Sequence, residues 1–160
     1  MKEEKKKRSG RPRLSPVCNE IKLDFPSHSR NESFARAAAA AFIASIDPTS
    51  TELSDIKCAL SEAVTNCTVH AYPDKIGIIR LEIKLREDGT VILIIKDKGI
   101  GIPDIDRARE PLFTTDAAGE RSGMGFTVME GFCDSVKVIS KPGKGTTVTL
   151  IRKLSGKSSY

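Results

Sequence analysis

Glu62, Asn66 and His70 follow one another at intervals of four residues. In an α-helix such residues are offset by about 40° per step, so all three stay on one side. A carboxylate and an amide one turn apart can divide labour. The amide oxygen is a hard ligand suited to Mg2+, while the carboxylate can orient or deprotonate an attacking hydroxyl. The same spacing also occurs on a plain solvated helix face. Ile56, Leu60, Ala63 and Cys67 form an adjoining apolar stripe. The polar row therefore borders the buried face, where a pocket wall can lie. His70, at the helix end, reads as a packing or hydrogen-bonding residue.

Three glycine-bearing segments add to this row. Asp97, Gly99 and Gly101 follow directly after the apolar run Val91 to Ile95, which puts a carboxylate at a strand end and two glycines in the turn beyond it. A backbone without Cβ atoms lets a flat ligand approach, and a carboxylate can accept from an exocyclic amine such as that of adenine. A turn whose aspartate caps it locally would look the same. Gly123 and Gly125 precede a helix-like run, so backbone N–H groups there can face a phosphate, with Arg121 in reach of a terminal phosphate. No Walker GxxxxGK[ST] motif is present. Gly145-Thr146 opens the last strand and can offer a hydroxyl to a base edge or an ordered water, although threonine is also simply a good strand residue.

The elements that must position these residues follow from periodicity. Ile21, Leu23 and Phe25 alternate with charged residues, a short strand stopped by Pro26. Asn31 to Ile46 reads as an alanine-rich helix with Phe34, Ala37, Ala38, Ala41, Phe42 and Ile46 at helical spacing. Thr49, Ser50 or Thr51 can cap a second helix that runs to about Val69. Ile78 to Leu85 and Thr90 to Lys96 form a hairpin around Asp88-Gly89. Residues 104 to 122 form a long loop of the kind used as a lid. A helix over Gly123 to Phe132 and strands over Ser135 to Ile139 and Thr146 to Arg152 complete the chain. This order departs from regular βαβ alternation and predicts an α+β protein, a two-layer sandwich of helices on a mixed β-sheet.

Composition narrows the classes. The net charge of +5 comes from the N-terminus, where residues 1 to 13 hold seven Lys and Arg against two Glu. Past residue 13 the charges balance, so no general field for a polyanion is expected and no direct nucleic-acid role. The motif Gly10-Arg11-Pro12 only loosely resembles an AT-hook core. Residues 1–17 are expected to be a disordered basic extension, 18–154 the functional domain and 155–160 a flexible tail. No membrane span or secretory signal is legible, which points to the cytoplasm. The four cysteines lack zinc-ligand spacing and are expected to be reduced thiols.

Taken in order, Glu62-x3-Asn66-x3-His70, Asp97-x-Gly99-x-Gly101, Gly123-x-Gly125 and Gly145-Thr146 resemble the four nucleotide-binding boxes of the GHKL superfamily, which includes gyrase, Hsp90, MutL and histidine-kinase ATPase domains. Within it, Asn31 to Arg36, Ser61 to Asn66, Pro111 to Thr115 and Glu120 to Phe126 are similar to the sporulation anti-sigma serine-protein kinases. The resemblance covers roughly residues 19 to 153. It implies a Bergerat ATP-binding fold, with ATP and Mg2+ held between helices, sheet and lid. It also implies a homodimer that binds a sigma factor of the sigma F type and phosphorylates a serine of an anti-anti-sigma protein. In that pattern Asn66 coordinates Mg2+ and Glu62 is the general base. Asp97 binds the adenine amine, framed by Gly99 and Gly101, and Thr146 reaches the base through its hydroxyl. Gly123 and Gly125 bind the phosphates, Arg121 the γ-phosphate, and Arg36 contacts a partner. Ala71 stands where glycine is frequent, and Cys67-Thr68 replace more apolar residues. The alternatives are an ATP-gated anti-sigma module without kinase activity and a stress-response kinase of the sigma B type.

Overall fold

The first strand is longer than its alternating core. In the computed structural model, which describes residues 14–113 and 123–156, β1 spans Val17–Pro26 and pairs antiparallel with β2 (Ile78–Arg86) along its whole length. Phe25 is buried and Ile21 and Leu23 half-buried, while Glu20, Lys22 and Asp24 face out. Backbone pairing carries the strand past the residues that reveal it. Contacts reach back further still. The Ser15 carbonyl accepts from Arg86 Nη1 at 2.7 Å and the Pro16 carbonyl from Glu87 N at 3.1 Å. These residues belong with the fold, where the sequence had placed them in the N-terminal extension.

Helix α1 (Asn31–Ile43) continues as a 3-10 turn over Ala44–Ile46. Its buried face is Ala35, Ala39, Ile43 and Ile46, whereas Phe34 is 58% exposed and Ala37 and Ala41 face solvent. The expected stripe is thus rotated by one residue. In a run of alanines every face is nearly equally apolar, so periodicity has little contrast to report. Helix α2 (Ser50–Asn66) packs on α1 and buries Ile56, Leu60 and Ala63 as expected. A single π turn over Cys67–Ala71 ends it, and Cys67 is buried there.

The start of α2 is fixed by a reciprocal capping box. Thr49 Oγ1 accepts from Glu52 N at 3.2 Å, and Glu52 Oε2 accepts from Thr49 N at 2.9 Å. The other carboxylate oxygen accepts from Ser155 N and Oγ at 2.6 and 2.8 Å, so the C-terminal segment is tied to the helix and the folded boundary includes Ser155. These donors, led by the Ser155 N–H and then the Thr49 N–H, pull the Glu52 pKa from 4.5 down to about 2. Its folded-state pKa lies below the unfolded value, so the stabilisation is complete above about pH 4.5 and fades as pH falls toward 2. Glu52→Gln should cost about 1–3 kcal/mol at pH 7 by stranding these donors. Thermal denaturation of both proteins across that acid window should show their difference shrinking as pH falls. A constant difference would mean that the charge contributes nothing.

β2 turns at Gly89 (φ +78°) into β3 (Thr90–Lys96), and the chain then passes through a short helix, α3 (Ile105–Ala108), to α4 (Gly125–Phe132). Helix α3 lies inside the stretch expected to be a loop, and Asp104 caps it by accepting from Arg107 N at 3.0 Å. A final hairpin of β4 (Ser135–Lys141) and β5 (Gly145–Lys153) closes the sheet in the order β1-β2-β3-β5-β4. Every neighbouring pair is antiparallel, which corrects the expected mixed sheet. The hairpin folds β5 back between β3 and β4, so β3 and β4, which run in the same direction, are not neighbours. Helices cover one face of the sheet, and Ile83, Leu85, Leu93, Ile95 and Leu150 form the centre of the core between the layers. Arg152 reaches from β5 to the Phe132 carbonyl (3.0 Å) and Asp55 (3.3 Å), tying the ends of α4 and α2 to the sheet.

Candidate nucleotide-binding site

A cavity of about 630 Å³ opens between α2, α4 and the ends of β3 and β5. Glu62, Asn66 and His70 line it from α2 and the π turn, Asp97 and Gly101 from the turn after β3, Gly123 and Gly125 from the entry to α4, and Thr146 from β5. Four segments far apart in sequence therefore converge on one volume of the size used for small-molecule ligands. The polar row survives the helix end because one side of α2 carries it into the π turn, a distortion common at functional sites.

Asp97 is the most constrained of these groups. It is 8% exposed, and its Oδ1 accepts from Gly99 N at 2.9 Å and Thr146 N at 3.1 Å. Its own N–H donates to the Thr146 carbonyl at 2.9 Å, which locks the end of β3 to the start of β5. Two N–H donors use the capacity of Oδ1 and leave Oδ2 as the oxygen with room for a ligand donor. Cys67 Sγ lies 3.5 Å from Oδ2 and donates its thiol proton there. Burial, and then the Asp97 charge, push the Cys67 thiol well above its ordinary pKa, so it stays a neutral donor.

Glycine is required here for close approach. A Cβ on Gly99 would lie 2.1 Å from the Ala71 carbonyl oxygen, and one on Gly101 (φ +76°) 2.2 Å from that of Lys141. Gly99 stands behind the cavity wall, and Gly101 is part of it. The Ala71 carbonyl also accepts from Ile100 N at 3.0 Å, so the turn after β3 is sealed against the end of the helix. Thr146 Oγ1 sits 2.7 Å from Ser140 Oγ, which accepts from Ile102 N at 2.8 Å. Thr146 is 9% exposed, and this network sets where its hydroxyl can point.

At the other end Gly125 brings the first turn of α4 against the Glu62 and Asn66 side chains. Its missing Cβ would lie 3.2 Å from Glu62 Oε2 and 3.5 Å from the Asn66 amide. The carboxylate, the amide and the N-terminus of α4 thus share one corner, as a phosphate and a divalent cation would need. Among the described residues no cluster of three or more His, Cys, Asp or Glu could hold a metal alone.

Two expected residues remain. Arg121 falls outside the described residues. Arg36 is on α1, away from the cavity, 3.5 Å from Glu32 and donating to Ser61 Oγ at 3.3 Å. Ser61 in turn donates to Glu32, so Arg36, Glu32 and Ser61 form one cluster that joins α1 to the residue before Glu62. The cavity also includes Arg107 and Phe113, which sequence reading missed; the guanidinium stacks 5.0 Å from the ring centroid. Arg107 follows the Asp104 cap by three residues, a faint local signal. Leu112, at φ +67°, accepts this strained conformation while its N–H donates to the Gly123 carbonyl at 3.1 Å.

A helix-on-sheet sandwich with a glycine-lined cavity joining a buried aspartate to a helix N-terminus has the features of a nucleotide-binding domain. The model of the histidine kinase-like ATPase domain matches residues 25–152. The anti-sigma F factor of Geobacillus stearothermophilus is 55% identical over 133 residues, covering 82% of this chain and 90% of the relative. That of Clostridium kluyveri is 53% identical over 134 residues, with 82% and 92% covered. Among solved structures, the RsbU and RsbW domains of Rv1364c from Mycobacterium tuberculosis share the fold with a TM-score of 0.65 at 21% identity, over 89% of this chain and 34% of that one. The chain belongs to the histidine kinase-like ATPase family and, within it, to the anti-sigma F factors. Nucleotide binding is the property of that domain. No helix among the described residues is long and apolar enough to cross a membrane.

Proposed function

We propose that the chain is an ATP-dependent serine-protein kinase that also sequesters a sigma factor of the sigma F type, its phosphoryl acceptor being a serine of an anti-anti-sigma protein. The observation that carries this reading is the placement of Glu62, Asn66 and Asp97 in the lining of one cavity. Asp97 Oδ2 would accept from the adenine amine, with Thr146 beside the base and the Gly99 and Gly101 turn framing it. Gly123, Gly125 and the first turn of α4 would hold the phosphates, with Arg121 at the γ-phosphate. Asn66 would hold Mg2+, which would offset the charge of the phosphates.

In the transfer step Glu62 accepts the proton of the incoming serine hydroxyl as the serine oxygen bonds to the γ-phosphorus. The bond to the bridging oxygen breaks, and that oxygen leaves with its electron pair on ADP. Arg36, clamped by Glu32 and Ser61, would present a preset cation to a partner protein. The working unit in this reading is a homodimer, and 18–154 with its short tethers at Ser15, Pro16 and Ser155 is the functional domain.

Transfer of label from ATP to the anti-anti-sigma protein tests the proposal. Wild type should phosphorylate it, and Asn66→Ala should lose transfer by about 100-fold or more while the Mg2+ concentration needed rises. ATP binding without any transfer by wild type would leave a nucleotide-gated binding module. Absence of ATP binding would overturn the whole reading.

A further inference from the structure

Cys67 is the one thiol that lines the cavity among the described residues, and the proposed transfer gives it no task. It is 4% exposed, lines the cavity, and donates to the single Asp97 oxygen that the backbone leaves incompletely satisfied. With Oδ1 held by two N–H groups, Oδ2 is the oxygen left for other donors. The Cys67 thiol is the protein donor that it meets among the described residues.

From this geometry we infer that Cys67 is a positioning residue for base selection: its S–H orients Asp97 Oδ2 so that one lone pair remains, aimed at an exocyclic amine on a purine. The inference rests on Asp97 being the base contact. A neutral thiol suits the task, because a thiolate would repel the carboxylate and accept nothing useful from it. The ligand class that this selects carries an amino group where inosine nucleotides carry a carbonyl, and an oriented carboxylate repels the carbonyl.

The test is equilibrium binding of ATP and of inosine triphosphate to the full chain, for wild type, Cys67→Ala, Cys67→Ser and Asp97→Asn, with ligand-free melting temperatures as the folding check. Cys67→Ala should weaken ATP by about 3- to 10-fold, the worth of one hydrogen bond. Inosine triphosphate should change by less than about twofold, so the preference narrows. Cys67→Ser, which keeps a donor, should restore most of the preference. Equal loss for both nucleotides in Cys67→Ala would make Cys67 a packing residue and overturn the inference, as would an unchanged preference. Asp97→Asn separates the two levels: should it keep the wild-type preference, the base reading itself fails, whatever Cys67 does.

Discussion

Glu62→Gln should bind ATP as tightly as wild type, or slightly more tightly, and transfer phosphate at least about 100-fold more slowly. The substitution keeps the shape of the side chain in a corner where Gly125 leaves only 3.2 Å between its absent Cβ and Oε2. Packing of α4 on α2 is therefore preserved, and a lost rate cannot be assigned to a displaced helix. What changes is charge and basicity. Removing a carboxylate beside the triphosphate relieves repulsion, while removing the acceptor for the serine proton takes away general-base assistance, worth about 10²–10⁴ in rate. Single-turnover transfer at saturating ATP reads the second effect alone. Transfer within about tenfold of wild type would mean that the carboxylate only orients the acceptor. With transfer slowed, the mutant should instead hold a complex of ATP, kinase and acceptor protein without product.

Much of this site was legible in the sequence because its parts are local signals. The alternation of Ile21, Leu23 and Phe25, the Asp88-Gly89 turn and the cap ahead of Glu52 each announce an element within a few residues. The stripe of Ile56, Leu60, Ala63 and Cys67 gave the phase of α2 correctly, and with it the side on which Glu62 and Asn66 emerge. Helix α1 failed the same test because its alanines carry no contrast, leaving Phe34 exposed where a core residue was expected. Other features had no local signature. The bond from Ser155 to Glu52 spans 103 residues, and the Cys67 contact with Asp97 spans 30. The parallel or antiparallel character of the sheet was decided by where the last hairpin inserted, a tertiary choice. The π turn after Asn66 and the positive φ of Leu112 are backbone adjustments imposed by the cavity's surroundings, not preferences of those residues.

Gly145→Ala should be far more damaging than Gly143→Ala, although both glycines adopt positive φ, +93° and +74°. At Gly143 an added Cβ meets nothing within 4 Å, so the cost is that of the left-handed backbone alone, about 1–2 kcal/mol. At Gly145 the same atom would lie 2.1 Å from the Asp97 carbonyl oxygen and 2.7 Å from Lys98 Cα, both main chain. Neither can rotate away. Relief requires β5 to separate from the turn after β3, which breaks the two bonds between Asp97 and Thr146 and leaves a buried carboxylate short of a donor. Lost hydrogen bonds at about 1–3 kcal/mol each add to the backbone strain. Gly145→Ala should thus lose at least about 3 kcal/mol and nearly all affinity for ATP, whereas Gly143→Ala should keep its affinity. Denaturant unfolding and nucleotide titration on the two variants check both halves. Equal destabilisation would show that the strand can shift without cost, and normal ATP affinity in Gly145→Ala would separate the Asp97–Thr146 lock from the base pocket.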